Sequence, residues 1–293
     1  MHTHKTVAGK TIYKVASHHH VLGAWAEIRQ RVSDPPNLIT LDQHTDSHEP
    51  FLGHVYAQFE DSKHEQEDEE SARFALVRNI NFRDAYSVEE AIRVLRNDEH
   101  IQAATLSGIL NVVFVVSFEG RATESENEKE YDLKYPYLTR RFKGDVPPLH
   151  PRPHRYSLPE GRIFVLPHEC WVGCTTRPHN DECHYKVSCR ILEADYLQRQ
   201  LGWAHEMANS IGLSSLLSKP YILDIDLDFF HTHKSLKPDD PSAFYQLIRG
   251  ALAITIATES EWTQECWLDS NPPQIDAMLQ TIYNHVDAAI KTA

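Results

Sequence analysis

Three short stretches of this chain place potential metal ligands where apolar runs stop. In LDQHTDSHEP, residues 41–50, Asp42, His44 and Asp46 follow Leu38, Ile39 and Leu41. In ILDIDLDFF, Asp224, Asp226 and Asp228 recur at every second position, so on a strand all three carboxylates face one way. In KVASHHHVLGAW, His18, His19 and His20 follow the first apolar run. Buried carboxylates side by side repel, and each is strongly unfavourable without a compensating cation. A donor set dominated by carboxylate oxygen, with a minority of imidazole, suits Mn(II) rather than the sulfur-rich sites of structural zinc. An exposed DxHxD by itself is equally a turn or a helix cap. The conjunction of three such stretches argues for a shared metal site.

The elements that must position these residues follow from hydrophobic periodicity. Apolar runs over 11–16, 38–41, 109–118, 162–166, 221–225 and 251–257 predict strands. Helical spacing predicts helices over 20–32, 87–96, 193–211, 241–249 and 273–291, the second opening with a capping box of Ser87 and Glu90. Strands alternating with helices predict a single α/β domain over 1–293, with a mostly parallel central sheet covered on both faces. In such sheets ligands gather at the carboxyl ends of the strands. The proline-rich segment 144–159 reads as an irregular connector, and 121–141 as a lid or a partner surface.

Composition narrows the partners. With 42 acidic against 29 basic residues the net charge is −13, which argues against nucleic acid and favours a cationic substrate. Much of the excess lies in 60–70 and 124–130, which read as solvated faces. No apolar run approaches the ~20 residues of a membrane span and no signal-peptide core opens the chain. A soluble, cytoplasmic protein without a membrane partner is expected. Five cysteines without a secretory signal do not suggest a disulfide framework. Cys170, Cys174, Cys183 and Cys189, interspersed with His168, His179 and His184, could hold a structural zinc but lack paired CxxC knuckles; a set of free thiols is the simpler reading.

Asp42-Gln43-His44-Thr45-Asp46 resembles the DAHxD motif of the arginase/agmatinase (ureohydrolase) superfamily, and Leu223 to Asp228 is similar to its LSFDxD strand with Asp224 in the serine position. Ser17-His18 looks like the Asp-His pair that supplies a further ligand. The strings LDQHTDSH and DIDLDFF look more like the divergent branch that holds the peptide arginases. The resemblance implies a three-layer α/β/α sandwich and two Mn ions. It implies that Asp42 and Asp226 bridge the ions, with His18 and Asp46 on one and His44 and Asp228 on the other. A register using Asp224 and Asp226 is the alternative, since a strand period of two permits both. LAITIATES resembles the superfamily's late strand ending in a glutamate, which makes Glu259 the residue facing the substrate guanidinium.

The activity so implied is hydrolysis of arginine side chains to ornithine and urea within a ribosomally made precursor peptide, the expected partner. The chain lacks the GGDH lead-in and a recognisable loop carrying the HG proton-shuttle histidine of free-arginine enzymes. His48, His54, His231 and His233 are the shuttle candidates by position. Three other readings share parts of the pattern: a ureohydrolase acting on arginine, agmatine or a guanidino acid, a one-zinc amide hydrolase of the deacetylase kind, and a non-catalytic metal-stabilised binding protein.

Overall fold

The segment Asn37–Asp42 is buried at every position, as a strand must be when both faces of its sheet are covered. In the computed structural model, which describes residues 2–59, 66–136, 148–168, 181–214, 216 and 219–292, it is an interior strand of a seven-stranded sheet among the described residues. The strands are β1 (Thr3–Val7), β2 (Lys10–Val15), β3 (Asn37–Asp42), β4 (Val113–Ser117), β5 (Ile163–Val165), β6 (Tyr221–Asp226) and β7 (Ile254–Ala257). Their spatial order is β1-β2-β7-β6-β3-β4-β5. Among the described residues every pairing is parallel except β1 with β2.

Side chains alternate across these strands, and two apolar clusters result. Leu38, Val113, Val115 and Ile222 point into one, whereas Ile39, Leu41, Phe114, Leu223 and Ile225 point into the other. The first is covered by α1 (Val21–Gln30), α2 (Leu52–Phe59), α3 (Gln66–Asn79), α4 (Ala85–Val94) and α5 (His100–Leu106). After the surface helix α6 (Glu126–Lys134) come α7 (Asp181–Ser188), α8 (Ala194–Ser210), α9 (Ser242–Gly250), α10 (Ser260–Glu265) and α11 (Ile275–Lys291). Of these, α8, α9 and α11 cover the second face. In α11, Met278, Leu279, Ile282, Val286 and Ala289 lie at helical spacing on its buried side.

The order of the strands makes a crevice. From β3 the chain moves outward to β4 and β5; it then returns to β6, beside β3, and moves the other way to β7. Connections that leave neighbouring strands in opposite directions open a gap at their carboxyl ends. The β3–β6 pair is that switch point, and it is where DxHxD and DxD stand.

Several sequence expectations are corrected. The expected strand 109–118 pairs only from Val113, because the Ile109 and Leu110 amides donate to Ala104 O (2.9 and 3.0 Å) and close α5. The expected strand 251–257 starts at Ile254; Ala251 N still donates to Leu247 O of α9 at 3.1 Å. The Ser87–Glu90 capping box is absent: Asp84 caps α4 by accepting from Tyr86 N, and Ser87 Oγ donates to the Asn81 and Asp84 carbonyls. A capping box does form at α6, between Ser125 and Glu128, so 121–141 is partly helical. The antiparallel edge strand β1 was not foreseen, since THKTV is almost wholly exposed and has no apolar period. Cys170, Cys174 and His179 of the expected zinc alternative lie outside the described residues.

Candidate metal centre

His18 is carried by a short 3-10 turn directly after β2. Its Nδ1 lies 2.8 Å from Asp46 Oδ2 and 3.3 Å from both Asp42 Oδ2 and Asp226 Oδ2. None of these approaches is a hydrogen bond, and Nδ1 is buried without a partner. Asp42 ends β3, and Asp226 ends β6. Asp46 sits beyond β3 in the left-handed region at φ 45°, a conformation that bulky residues avoid and that aspartate tolerates better than most.

A second donor group adjoins the first. His44 Nδ1 lies 3.2 Å from Asp228 Oδ2, and Asp42, His44 and Asp228 bring one ligand atom each within 4.8 Å of one another. His18, Asp42 and Asp226 do the same. Asp42 therefore belongs to both groups, whereas Asp226 falls in the first. Asp42 Oδ1 accepts from His44 N at 2.8 Å, leaving Oδ2 buried and unpartnered; Asp228 Oδ2 is likewise orphaned. Three buried polar atoms without partners, on residues of metal-ligating type, fit divalent cations: a buried unpaired donor is strongly disfavoured unless something fills the gap.

Asp224 is not among these donors. Its Oδ2 meets His18 Nε2 at 2.8 Å and accepts from Thr40 Oγ1 at 2.9 Å, and Oδ1 accepts from Thr255 Oγ1. Thr255 in turn accepts from Trp25 Nε1 at 3.2 Å. Asp224 thus orients the imidazole whose other nitrogen faces the centre, the role outer carboxylates play around metal-ligating histidines. The expectation that all three aspartates project from one strand face is also corrected. β6 ends at Asp226, and Asp228 is aimed by a 3-10 turn, Leu227–Phe229.

Burial and like charge shift the donors from their ordinary protonation. Burial raises the Asp42 pKa well above the usual carboxylate range, with the charge on Asp46 adding to it. Burial does the same at Asp226, aided by Asp228. Burial alone depresses the His18 pKa, but Asp224, Asp226 and Asp42 outweigh it and hold the imidazole well above its ordinary value. The Asp228 carboxylate beside it pushes half-exposed His44 up to about 9 against the opposing effect of burial.

Glu259 follows β7 with φ 25°, a sparsely populated conformation of the kind that collects at functional sites. Its Oε1 accepts from His18 N at 2.6 Å. Burial raises its pKa. With Asp42, His44, Asp46 and Asp226 it lines a cavity of about 710 Å³. Gly120, at φ +88°, lets the loop after β4 close over this region: a Cβ there would stand 2.3 Å from Thr45 Cγ2.

Of the shuttle candidates, His48 lines the cavity and His54, His231 and His233 do not. His48 Nδ1 pairs with Asp98 Oδ2 at 2.8 Å. His231 is buried against His184 and Ser188, and burial pushes its pKa to about 3. His54 bonds to Gln58, and His233 donates its backbone amide to Asp269.

His100 was missed by sequence reasoning. It is fully buried at the start of α5, its ring 4.6 Å from that of His18 and stacked on Trp25 at 5.4 Å. It forms a further donor group with His18 and Asp46. Its Nδ1 donates to Asn97 O at 2.8 Å, and Nε2 has no partner. Burial holds its pKa well below normal, and neighbouring His18 and His19 act in the same direction. A lone histidine in NDEHIQAA carries no motif, so no sequence signal could have found it.

These features define a mostly parallel α/β protein with clustered metal-type donors at the sheet's switch point. Comparison with family models, curated proteins and solved structures yields no match. No helix among the described residues is long and apolar enough to cross a membrane.

Proposed function

We propose that this chain is a binuclear manganese hydrolase of guanidino groups, converting arginine side chains of a ribosomally made precursor peptide to ornithine with release of urea. The observation that carries this reading is the sharing of Asp42 between two adjoining donor groups, at the sheet edge where an arginase-like three-layer sandwich builds its centre. His18, Asp42, Asp46 and Asp226 would hold one ion, and Asp42, His44 and Asp228 the other. Bound there, two divalent cations would supply Lewis acidity, lowering the pKa of water and offsetting negative charge on the reacting group.

The chain's own residues supply position and proton handling. Glu259 has one oxygen held by the His18 amide, and the other is assigned to the substrate guanidinium through a charge-assisted hydrogen bond. Water adds to the guanidinium carbon, the bond from that carbon to the side-chain nitrogen breaks, and the departing amine takes a proton. His48, in the cavity wall with Asp98 on its Nδ1, is the side chain assigned to that delivery. The cavity's volume of about 710 Å³ matches drug-sized ligands, leaving room for the backbone that flanks a peptide-borne arginine.

The test is mass spectrometry of an arginine-containing precursor peptide co-expressed with the protein in Mn-supplemented cells. A loss of about 42 Da per processed arginine is expected. Urea from free arginine or agmatine with an unmodified peptide moves the activity to small molecules, and silence on all of them sinks the hydrolase reading.

A further inference from the structure

The acidic cavity contains one anomaly. Its wall carries Asp42, Asp46, Asp98, Glu119, Asp226 and Glu259, yet also Arg96, the single Lys or Arg among its described lining residues. Among the described residues, no carboxylate forms an ion pair with the Arg96 guanidinium. The acids nearest in sequence are committed elsewhere. Asp98 faces His48 at 2.8 Å. Glu99 is buried and accepts two backbone amides, Gly53 N at 3.0 Å and Arg96 N at 3.2 Å.

The guanidinium rests against backbone. It lies over Gly53 in the first turn of α2, so closely that a Cβ on Gly53 would stand 2.2 Å from Arg96 Nε. The positive end of a helix does not favour a cation, and an anion beside both would be attracted by each. The segment is also tied to the site. Asn97, next in the chain, accepts from Ser17 Oγ at 2.8 Å, and Ser17 Oγ lies 3.5 Å from Glu259 Oε1. An unpaired guanidinium in the wall of the cavity that Glu259 also lines, next in the chain to the residue that Ser17 joins toward Glu259, has the character of a second anchor of opposite sign.

We propose that Arg96 is a specificity-determining residue that binds a carboxylate carried by the guanidino substrate. This rests on the functional reading above for the placement of the guanidinium at Glu259. On a peptide the carboxylate belongs to an aspartate or glutamate beside the processed arginine; on a free guanidino acid it is that molecule's own carboxylate. Either way the recognised chemistry is a zwitterion, guanidinium at Glu259 and carboxylate at Arg96. Arginine's planar fork suits bidentate carboxylate binding in a way that a lysine ammonium does not.

The experiment measures Kd by titration calorimetry on the chelator-treated full chain, because the Mn-loaded form would turn the probes over; product formation is assayed separately on the Mn-loaded chain. One pair of probes is an end-capped arginine peptide with Glu or Gln beside the arginine; the other is free arginine against agmatine, which lacks the carboxylate. With the unaltered protein the carboxylate-bearing member of a pair is expected to bind about fivefold tighter, a modest ratio because the guanidinium is exposed. The ratio shrinks as salt rises. Arg96→Gln should bring it to one, and Arg96→Lys should retain part of it. Gly53→Ala leaves the charge in place but displaces the guanidinium, and should also lower the ratio; a purely structural arginine would move none of these ratios.

An Arg96-dependent ratio in the peptide pair assigns the carboxylate to a neighbouring residue, and one confined to arginine and agmatine assigns it to a free guanidino acid. Both support the anchor. A ratio of one in both pairs, a ratio unchanged by Arg96→Gln, or no measurable binding of any probe overturns it. Arg96-dependent binding without ornithine or urea would leave the anchor standing and remove the hydrolase reading; ornithine formed at equal Kd values would do the reverse.

Discussion

His18 Nε2 lies 2.8 Å from Asp224 Oδ2 while Nδ1 of the same ring faces three other aspartates. A carboxylate buried in the sheet thereby sets the direction of an imidazole at the strand ends. Asp224→Asn keeps the shape but loses the charge that holds the ring, and a ~10–100-fold fall in Mn affinity is expected. Equilibrium dialysis of the variant, with its Tm as a control for folding, checks this. Unchanged affinity would show that Asp224 serves the sheet alone.

Asp42 belongs to both donor groups and His44 to one. Asp42→Asn should take metal content from about two ions per chain toward none, and His44→Ala should leave about one. Elemental analysis after desalting distinguishes them. Equal stoichiometry in the two variants would sink the shared-carboxylate assignment. Asp226→Ala, which empties the first group only, should also abolish turnover, and near-normal Mn content with normal turnover in that variant would falsify its role as a ligand.

Without metal, several groups of the centre respond to pH with the same sign. His44, pushed up to about 9 from its ordinary 6.5, stabilises the fold fully below about 6.5, and that contribution is lost as pH rises through about 9. His18 is raised by its carboxylate neighbours and acts likewise. Asp42 and Asp226 are raised chiefly by burial, so ionising them also disfavours the metal-free fold as pH increases. Metal binds the deprotonated forms, so its affinity rises over the same interval. The Tm difference between Mn-loaded and chelator-treated protein should therefore widen from pH 6.5 to pH 9. A constant difference across that range would contradict the coupling.

Glu259 is assigned to the substrate and lies in neither donor group. Glu259→Gln should lower kcat/KM by about tenfold to a hundredfold, the range of one charge-assisted hydrogen bond, with Mn content unchanged. Steady-state kinetics beside metal analysis reads both. A parallel loss of metal would instead make Glu259 part of the metal centre.

The sequence by itself determined the alternating architecture and the residue types of the centre. Strand and helix periods are local, and carboxylates and imidazoles at strand ends stand out against apolar runs. Both Asp42-Gln43-His44-Thr45-Asp46 and Asp224-Ile225-Asp226-Leu227-Asp228 were legible for that reason. The choice among Asp224, Asp226 and Asp228 was not legible, because a period of two treats them alike. It was decided by where the strand ends and by Thr40 and Thr255 on the flanking strands, which bond to Asp224. His100 and Arg96 were invisible for a related reason. Each stands alone in a helical or loop segment, and becomes part of the site only because α5 packs His100 against His18 and Trp25, and Gly53 leaves room for the Arg96 guanidinium. Residue chemistry and local period are written along the chain; which groups meet, and which face of each remains free, follows from long-range packing.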